Sequence, residues 1–526
     1  MTNLVIYGYM HKARSQQLLG FTIVELLVVI VVIGILAAIT IVSYTGISKQ
    51  ATIASLQSDL TNAAKQLKMF KVENGMYPAT FSVDCAAQPT ATTNICLKAS
   101  PGSTYTDYQV DNPSNPQSFT LTEMKSNIFY SIADDGSPAF LASAPYWKQI
   151  ETGTYHTCAI AFDGRAYCWG WNNSGRLGNG LAVDSSVAVA VANGALPASK
   201  TLKSISANSN HTCAIASDNQ AYCWGSNTYG SLGDSSTTSR SVPVAVSTVG
   251  ILSSKTLKSI ATGERHTCVI ASDNQAYCWG DNTYGQLGNN STTQSLVPVA
   301  VSISGVLSGK TLKSIDADAY HTCVIDTDNQ AYCWGYNTYG QLGNDSTTQS
   351  LVPVAVSTSG VLSGKTLKSI NAGVFHTCSI ASDDQAYCWG RNTYGQLGND
   401  STTQSLVPVA VSTSGVLSGK TIMSISAGQY YACAIVSDNQ AYCWGSSGNG
   451  QLGNDSTTQS LVPVAVSTSG VLSGKTIMSI SAGQYYACVM SSDNQAYCWG
   501  YNLNGQFGDN STTNSLVPVA VIPLGS

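Results

Sequence analysis

The sequence predicts a long N-terminal α-helix, a small α+β head, and then an all-β propeller of seven blades. Three observations predict this order: an apolar run at residues 21–42, short alternating runs between turn residues in 76–145, and seven copies of a 55-residue unit from 146 to 526. The predicted segments are a leader at 1–20, a helix at 21–75, the head with its linker at 76–145, and the propeller at 146–526.

Composition excludes several classes of function. Of 526 residues only 10% are charged, and 24 Lys and Arg against 29 Asp and Glu give a net charge of −5. A nucleic-acid partner is therefore not expected, since phosphate binding needs a basic surface. A hydrophobic content of 43% excludes wholesale disorder. Sixteen cysteines are unusual for a reducing cytosol.

The N-terminal segment has the pattern of a membrane anchor. Residues 1–20 carry Lys12 and Arg14 and no acid, and residues 21–42 are almost wholly apolar. As a helix this run would be roughly 33 Å long, which matches a bilayer core. The basic end is expected in the cytoplasm and the rest of the chain outside, so the sequence predicts a single-pass membrane protein.

One acid interrupts this apolar run. Glu25 lies five residues after Gly20, where an isolated carboxylate costs roughly 2.5–3.5 kcal/mol. The sequence GFTIVELL at 20–27, followed by an aliphatic run, resembles the class III signal of type IV prepilins. The resemblance implies that a prepilin peptidase cuts between Gly20 and Phe21, that Phe21 is methylated, and that Glu25 neutralises the terminal amine of a neighbouring pilin.

The helix is expected to continue beyond the apolar run and to lead into a pilin head. An apolar stripe recurs at three- and four-residue steps through Ile53, Leu56, Leu60, Ala64, Leu67 and Phe70. Gly75 and Pro78 end the pattern, and N-G-x-Y-P at 74–78 also resembles the end of the long pilin helix. In the head, Cys85 and Cys96 are expected to form a disulfide, as fits an exported protein.

Internal repetition predicts the rest of the chain. The tripeptide Cys-Trp-Gly begins at 168, 223, 278, 333, 388, 443 and 498, and residues 401–433 are identical to 456–488. The second unit has four β-rich runs at 202–206, 211–216, 221–224 and 242–246. Four strands per unit predict propeller blades. Pro243 indicates an edge strand, although the sequence leaves open how the ring closes.

The repeated unit resembles the regulator of chromosome condensation repeat. The resemblance rests on Ser-Ile-x-Ala-Gly before His-Thr, on Ala-Tyr-Cys-Trp-Gly, and on Asn-Thr-Tyr-Gly-Gln-Leu-Gly, and it covers about 380 residues. This chain departs from the intracellular founder in its cysteine pairs and in lacking the charged face that nucleotide exchange on a small GTPase would need. Exchange activity is therefore not carried over, whereas secreted bacterial relatives of the fold act by binding proteins.

Each unit carries two cysteines ten residues apart, on consecutive predicted strands. In a hairpin whose opposed positions sum to 436, Cys213 faces Cys223 at the distance a disulfide spans. The predicted pairs are Cys158–Cys168, Cys213–Cys223, Cys268–Cys278, Cys323–Cys333, Cys378–Cys388, Cys433–Cys443 and Cys488–Cys498. The alternative is zinc bound by His211 and this cysteine pair. It is disfavoured because Tyr431 and Tyr486 replace the histidine in the last units and no fourth ligand recurs.

Two positions differ most between the units. One precedes the second strand: Tyr155, Asn210, Arg265, Tyr320, Phe375, Tyr430 and Tyr485. The other follows Cys-Trp-Gly: Trp171, Ser226, Asp281, Tyr336, Arg391, Ser446 and Tyr501. The same register places the two positions opposite each other at one rim. A ligand-binding rim is predicted at Tyr155, Trp171, Arg265, Asp281, Tyr320, Tyr336, Phe375, Arg391, Tyr485 and Tyr501, because aromatic residues and arginine carry interface energy.

These observations together predict a minor type IV pilin that displays an extracellular propeller for adhesion or ligand binding. The alternative is a pseudopilin-like part of a secretion or DNA-uptake system, with the propeller as a protein-interaction platform. The expected partners are other pilins, the prepilin peptidase, the membrane before assembly, and a surface protein or glycan at the rim. The expected location is the bacterial cytoplasmic membrane, with the C-terminus outside, and then the pilus or cell surface. No catalytic set, cofactor or metal is predicted.

Overall fold

The computed structural model describes residues 51–78, 80–82, 94–101, 103–111, 118–125, 128–133, 139–141, 147–161, 164–197 and 199–522. The chain divides into two units, Met1–Ala144 and Pro145–Ser526. The predicted processing and assembly residues Gly20, Phe21 and Glu25 lie outside the described residues, as does Cys85, whose predicted partner Cys96 is disulfide-bonded.

The first unit contains one described helix and two small sheets. The helix covers residues 51–74 and ends at Gly75, whose φ is +75°. A parallel pair joins β1 (Thr80–Ser82) to β2 (Asn94–Cys96). An antiparallel sheet contains β3 (Ser103–Asp111), β4 (Ser118–Lys125), β5 (Ile128–Ala133) and β6 (Ala139–Leu141). The helix packs Leu56, Leu60 and Leu67 onto Leu121 and Ile132.

The predicted fold class is wrong for this unit. One long helix over 21–75, apolar at 21–42, was expected, whereas the described helix covers 51–74. This helix is amphipathic as its apolar stripe predicted, with one face in the core and Met69 and Val72 exposed at 63% and 86%. A pilin head is not shown. Among the described residues no helix has the length and apolar character that crossing a membrane requires, so the predicted single-pass membrane location is corrected as well.

The second unit is the predicted seven-bladed propeller. Each blade is an antiparallel sheet of four strands that are consecutive in the chain. The first strands are β7 (Trp147–Thr152), β11 (Leu202–Ala207), β15 (Leu257–Thr262), β19 (Leu312–Asp318), β23 (Leu367–Ala372), β27 (Ile422–Ala427) and β31 (Ile477–Ala482). The second strands are β8 (His156–Ala161), β12 (His211–Ala216), β16 (His266–Ala271), β20 (His321–Asp326), β24 (His376–Ala381), β28 (Tyr431–Val436) and β32 (Tyr486–Ser491).

The other two strands complete each blade. The third strands are β9 (Ala166–Gly170), β13 (Ala221–Gly225), β17 (Ala276–Gly280), β21 (Ala331–Gly335), β25 (Ala386–Gly390), β29 (Ala441–Gly445) and β33 (Ala496–Gly500). The fourth are β10 (Ser185–Ala190), β14 (Arg240–Ala245), β18 (Ser295–Ala300), β22 (Ser350–Ala355), β26 (Ser405–Ala410), β30 (Ser460–Ala465) and β34 (Ser515–Ala520). Short 3₁₀ turns lie at Gly305–Leu307, Gly360–Leu362, Gly415–Leu417 and Gly470–Leu472. Pro243 lies on the fourth strand, an edge of its sheet as predicted.

The same contact joins every pair of neighbouring blades. The tryptophan of Cys-Trp-Gly is fully buried, and its indole N–H donates to a backbone carbonyl of the preceding blade, as Trp279 does to Ser231 at 2.8 Å. Gly233 lies against that indole with φ +66°, and an added Cβ would come within 2.7 Å of Trp279 Nε1. Only glycine tolerates both the backbone angle and this approach, which explains the repeated Leu-Gly.

Seven disulfides form inside the blades with the predicted pairing and register. Cys213 lies directly opposite Cys223, with Cα atoms 4.1 Å apart, and the other six pairs have the same separation of ten residues. All fourteen of these cysteines are fully buried.

The ring closes without exchanging a strand between the first and last blades. Blade one is built from β7–β10 and blade seven from β31–β34, each a continuous segment. Side-chain bonds join the two blades instead: Trp169 donates to the carbonyl of Gln506 at 2.7 Å. The hydroxyl of Tyr486 donates to the carbonyl of His156 at 2.6 Å and lies 2.8 Å from Thr157 Oγ1. The hydrogen bond from Trp169 to a carbonyl of the neighbouring blade is therefore the same type of bond that joins the blades at the other six seams.

Candidate ligand-binding rim

The two variable positions meet at one rim of the propeller. In every blade the backbone N–H of the second position donates to the carbonyl of the first, at 2.8–3.1 Å, as Tyr336 does to Tyr320. This confirms the register inferred from the cysteine pairs. The side chains are half-buried with the exception of Asp281, which is 4% exposed. Their role in binding stays a prediction.

A third set of side chains contributes to the rim and was missed in the sequence. These are the tyrosines of the Asn-Thr-Tyr-Gly turns: Tyr229, Tyr284, Tyr339 and Tyr394. They escaped notice because the motif that contains them was assigned to the fold, although the position varies as well, with Ser174, Asn449 and Asn504 in the other three units. The fully buried Gln286 holds its turn by accepting the N–H of Tyr284 at 2.9 Å. A large aromatic residue in a polar turn was the signal that could have found them.

The first aromatic cluster lies where blade seven meets blade one. The ring centroids of Tyr155, Tyr485 and Tyr501 form a triangle with all three sides 6.1 Å long. Trp171 extends it with an edge contact to Tyr155 at 5.3 Å. Two of the predicted pairs, Tyr155 with Trp171 and Tyr485 with Tyr501, therefore come together.

The second aromatic cluster runs along blades three to six. Tyr284 contacts Tyr320 at 5.4 Å and Tyr336 at 4.9 Å, and the predicted pair Tyr320–Tyr336 is 6.0 Å apart. Tyr339 then joins Tyr336 to Phe375. The row ends with further contacts from Phe375 to Tyr430 and from Tyr430 to Tyr394. Most of the contacts are tilted or edge-on, which is the favoured geometry of aromatic pairs.

Arginine side chains also lie at this rim, stacked on aromatic rings. Arg176 lies over Trp171, with the guanidinium 4.1 Å from the ring centroid, and Arg265 lies 4.8 Å above Tyr229. The predicted pair Arg265–Asp281 does not form an ion pair. Arg265 instead approaches Glu264 at 3.3 Å, while Asp281 accepts from Thr283. The structure places both residues at the rim but gives them other partners.

A narrow channel lined by the first strands carries buried acids. Glu151, Asp316 and Asp318 lie along its wall, and Asn208 donates across it to Asp318 at 2.9 Å. Asp316 accepts from the backbone N–H of Ala372 at 2.7 Å. Burial raises the pKa of each of these three carboxyl groups to about 7.

The raised pKa of Glu151 predicts the effect of one substitution. A carboxyl with a pKa of about 7 in the fold and about 4 when unfolded stabilises the fold below pH 4, and this contribution is lost as the pH rises through 7. We expect Glu151→Gln to raise the free energy of unfolding at pH 8 by about 1–2 kcal/mol and to change it little at pH 4. Guanidinium unfolding at both pH values measures the effect. An equal change at the two would contradict it.

Four of the five histidines that begin the second strands form a hydrogen bond with a threonine of the next blade. The exception is His376, since the next blade has Ala432 in place of the threonine. Thr267 Oγ1 donates its proton to the carbonyl of Ser231 at 2.9 Å, so His211 Nε2, 2.7 Å away, must be the donor to that oxygen. Cys213 and Cys223 are bonded to each other, so their sulfurs are not available as zinc ligands. Within the part of the chain that the structure describes, no three His, Cys, Asp or Glu side chains are placed to share a metal.

Comparisons with known proteins match the propeller. The family model of the RCC1-like domain matches residues 131–479, and that of the regulator of chromosome condensation (RCC1) repeat matches residues 477–506. The ultraviolet-B receptor UVR8 of Arabidopsis thaliana is 28% identical over 379 residues, covering 71% of this chain and 81% of its own. The mouse regulator of chromosome condensation is 27% identical over 380 residues, covering 69% of this chain and 87% of its own.

Solved structures share the fold. Human WBSCR16 has a TM-score of 0.60 at 18% identity, covering 68% of this chain and 94% of that structure. Saccharomyces cerevisiae Prp20p has a TM-score of 0.55 at 19% identity, covering 66% of this chain and 83% of that structure. At these identities the similarity shows the fold alone.

These matches overturn the predicted function. A minor type IV pilin, or a pseudopilin-like component, was expected from the N-terminal pattern. The relatives are instead a photoreceptor and a regulator of chromosome condensation, and the matched families describe the propeller. The pilins and the prepilin peptidase are accordingly removed from the expected partners. A protein partner for the propeller stays a prediction, because it was inferred from the propeller and not from the N-terminal pattern.

Proposed function

The chain belongs to the family of RCC1-like domains, and from that premise we propose that its propeller is a non-catalytic module that binds a protein on the aromatic rim. The observation that carries the proposal is the enrichment of half-buried tyrosine, tryptophan, phenylalanine and arginine on one end of the ring. Such residues supply most of the binding energy of protein interfaces.

Proteins of the same fold support this proposal. Yeast Prp20p is described as binding Gsp1p and histones, and a second structure has Kap60 bound to it. In the present chain this end of the ring offers tyrosine, tryptophan and phenylalanine rings with a few arginines among them, and only 10% of the residues of the whole chain are charged. We therefore propose a different partner and no exchange activity.

The disulfides add a condition to the proposal. Seven buried disulfides, one in each blade, form and persist where the environment is oxidising. We propose that the propeller folds and meets its partner in such a compartment.

Site-specific photo-crosslinking tests the binding face. We expect a photoreactive residue at Ser446, on the rim, to give a discrete crosslinked protein band in the cells that produce the chain. The control is Met423, which is 57% exposed at the opposite end of the first strand of the same blade. We expect no such band from the control position. Equal crosslinking at both positions, or none at Ser446, would refute a protein-binding rim.

A further inference from the structure

At the rim, one arginine of the chain is stacked among three aromatic rings. The guanidinium of Arg391 lies 4.9 Å from the ring centroid of Tyr339, 5.5 Å from that of Phe375 and 5.1 Å from that of Tyr430. Phe375 and Tyr430 stack on each other at 5.9 Å and belong to neighbouring blades. A cation within about 6 Å of an aromatic face is attracted by the negative face of the ring. The seam between blades five and six therefore forms an aromatic cage that this chain fills itself.

A related cluster lies at the closing seam, where a tyrosine stands in place of the arginine and Asn449 in place of Tyr339. Tyr501 occupies the position of Arg391, and Tyr485 and Tyr155 occupy those of Phe375 and Tyr430, two blades further round. The stacked pair is preserved, since Tyr155 and Tyr485 are 6.1 Å apart with ring planes 28° from parallel. Arg176 stacks on the adjacent Trp171, whereas among the described residues no lysine or arginine is stacked on the three tyrosine rings themselves.

A second tyrosine cluster lies beside blade four. Tyr336 again occupies the Arg391 position, and Tyr284 and Tyr320 complete the cluster. In the described chain no basic side chain is stacked on these three rings either. An acid lies next to them: after burial, the Glu264 carboxylate is the main cause that raises the pKa of Tyr320.

Charge favours the same class of ligand. Glu264 lies at the rim, where it pairs with Arg265 at 3.3 Å, and Glu151, Asp316 and Asp318 line the channel. The chain as a whole carries a net charge of −5. An incoming cation would meet aromatic faces first and carboxylates nearby, which is a favourable combination for arginine.

From these contacts we infer that the rim binds a basic peptide segment of its partner, with arginine side chains stacked on the Tyr155/Tyr485/Tyr501 and Tyr284/Tyr320/Tyr336 clusters. This inference rests on the proposed function and names the chemistry of the partner. At these two tyrosine clusters an arginine of the partner would stack on the rings, as Arg391 stacks on aromatic rings at the seam between blades five and six.

A pair of peptides tests the inference. The probe is a fluorescein-labelled peptide with four arginines separated by Gly-Ser, and the control is the same peptide with citrulline, which keeps the shape and removes the charge. Fluorescence anisotropy with the full chain should show binding at least about tenfold tighter for the arginine peptide. Tyr336→Leu and Tyr501→Leu should each weaken that binding about threefold to tenfold, whereas Tyr336→Phe and Tyr501→Phe should stay within about twofold. Thermal unfolding of each variant shows that it is folded.

Three outcomes would overturn the inference. Equal affinity for the two peptides would exclude cation binding. Arginine binding that the leucine variants leave unchanged would be non-specific charge attraction. Binding of neutral oligosaccharides on an array, lost in the leucine variants and without arginine binding, would make the rim a glycan site. If Ser446 crosslinks a protein but the arginine peptide does not bind, this inference fails and the proposed function stands. If Ser446 gives no crosslink, the proposed function itself fails.

Discussion

Refolding in the presence of a reductant is expected to fail to restore the propeller. Each of the seven intrablade disulfides closes a loop of ten residues and should contribute about 2–3 kcal/mol. Together they supply more than about 10 kcal/mol, which is comparable with the whole stability of an ordinary domain. Because the sulfurs are fully buried, reduction acts on the unfolded chain. Fluorescence of the buried tryptophans after dilution from guanidinium, with and without reductant, measures the difference.

A single-blade variant provides the control for this experiment. Replacing Cys323 and Cys333 together by alanine should lower the free energy of unfolding by about 2–3 kcal/mol and still give a folded propeller under oxidising conditions. Equal recovery of fluorescence with and without reductant would show that the disulfides do not stabilise the fold.

Acid is expected to unfold the propeller well above the pH that protonates ordinary carboxylates. Burial lowers the pKa of His211, His321 and His376 to about 3 and that of His266 to about 4, and it lowers the pKa of His156 too. An unfolded histidine has a pKa of about 6.5, so the stability that these neutral rings contribute is complete above pH 6.5 and is lost as the pH falls towards 3–4. The three channel carboxyls oppose this loss. The free energy of unfolding should therefore fall by about 2–3 kcal/mol for each pH unit between pH 6 and pH 4.

The chain itself offers a matched control for the histidines. Blade six has Tyr431 at the histidine position, in the same core cluster as Ala487 of blade seven, where blades one to five have threonine. The double substitution His266→Tyr with Thr322→Ala copies this natural pair and keeps Gly263, the counterpart of Gly428 beneath Tyr431. We expect it to reduce the pH slope by about 1.4 kcal/mol per unit, roughly half. Unfolding curves at pH 4, 5 and 6 measure the slope, and an unchanged slope would show that His266 does not titrate on unfolding.

Most of the propeller could be predicted because residues that recur in every unit are those that the backbone of a blade requires. A step of 55 residues, held through seven units, separates the residues that every blade needs from those that vary. The cysteine pairs then fix the register, because opposed strand positions are close enough for a disulfide only in one alignment. That register placed Tyr320 opposite Tyr336, as the structure has it.

The remaining features depend on contacts between units, which repetition does not report. The bond of Tyr486 to blade one and the contact of Tyr284 with Tyr320 both cross a seam. The pairing of Arg265 with Asp281 was inferred from charge within one blade, whereas Glu264 and Tyr229 lie nearer. The predicted helix over 21–75 was wrong for a different reason: the apolar run at 21–42 and the stripe at 53–70 were joined into one spine, whereas the described helix covers only 51–74. Its stripe does pack on a small sheet, as expected.

Because each blade is one uninterrupted stretch of chain, the ring has no privileged beginning. In some propellers the last blade contains a strand from the start of the chain. Such a ring can gain or lose a repeat only if the two parts of that composite blade still pair with each other. Here a genetic duplication copies a complete blade, with its own disulfide and with both of the faces that pack against neighbouring blades. The identity of residues 401–433 and 456–488 is what such copying leaves behind. New recognition surfaces can then evolve by changing a few rim side chains in one copy while the others continue to hold the circle together.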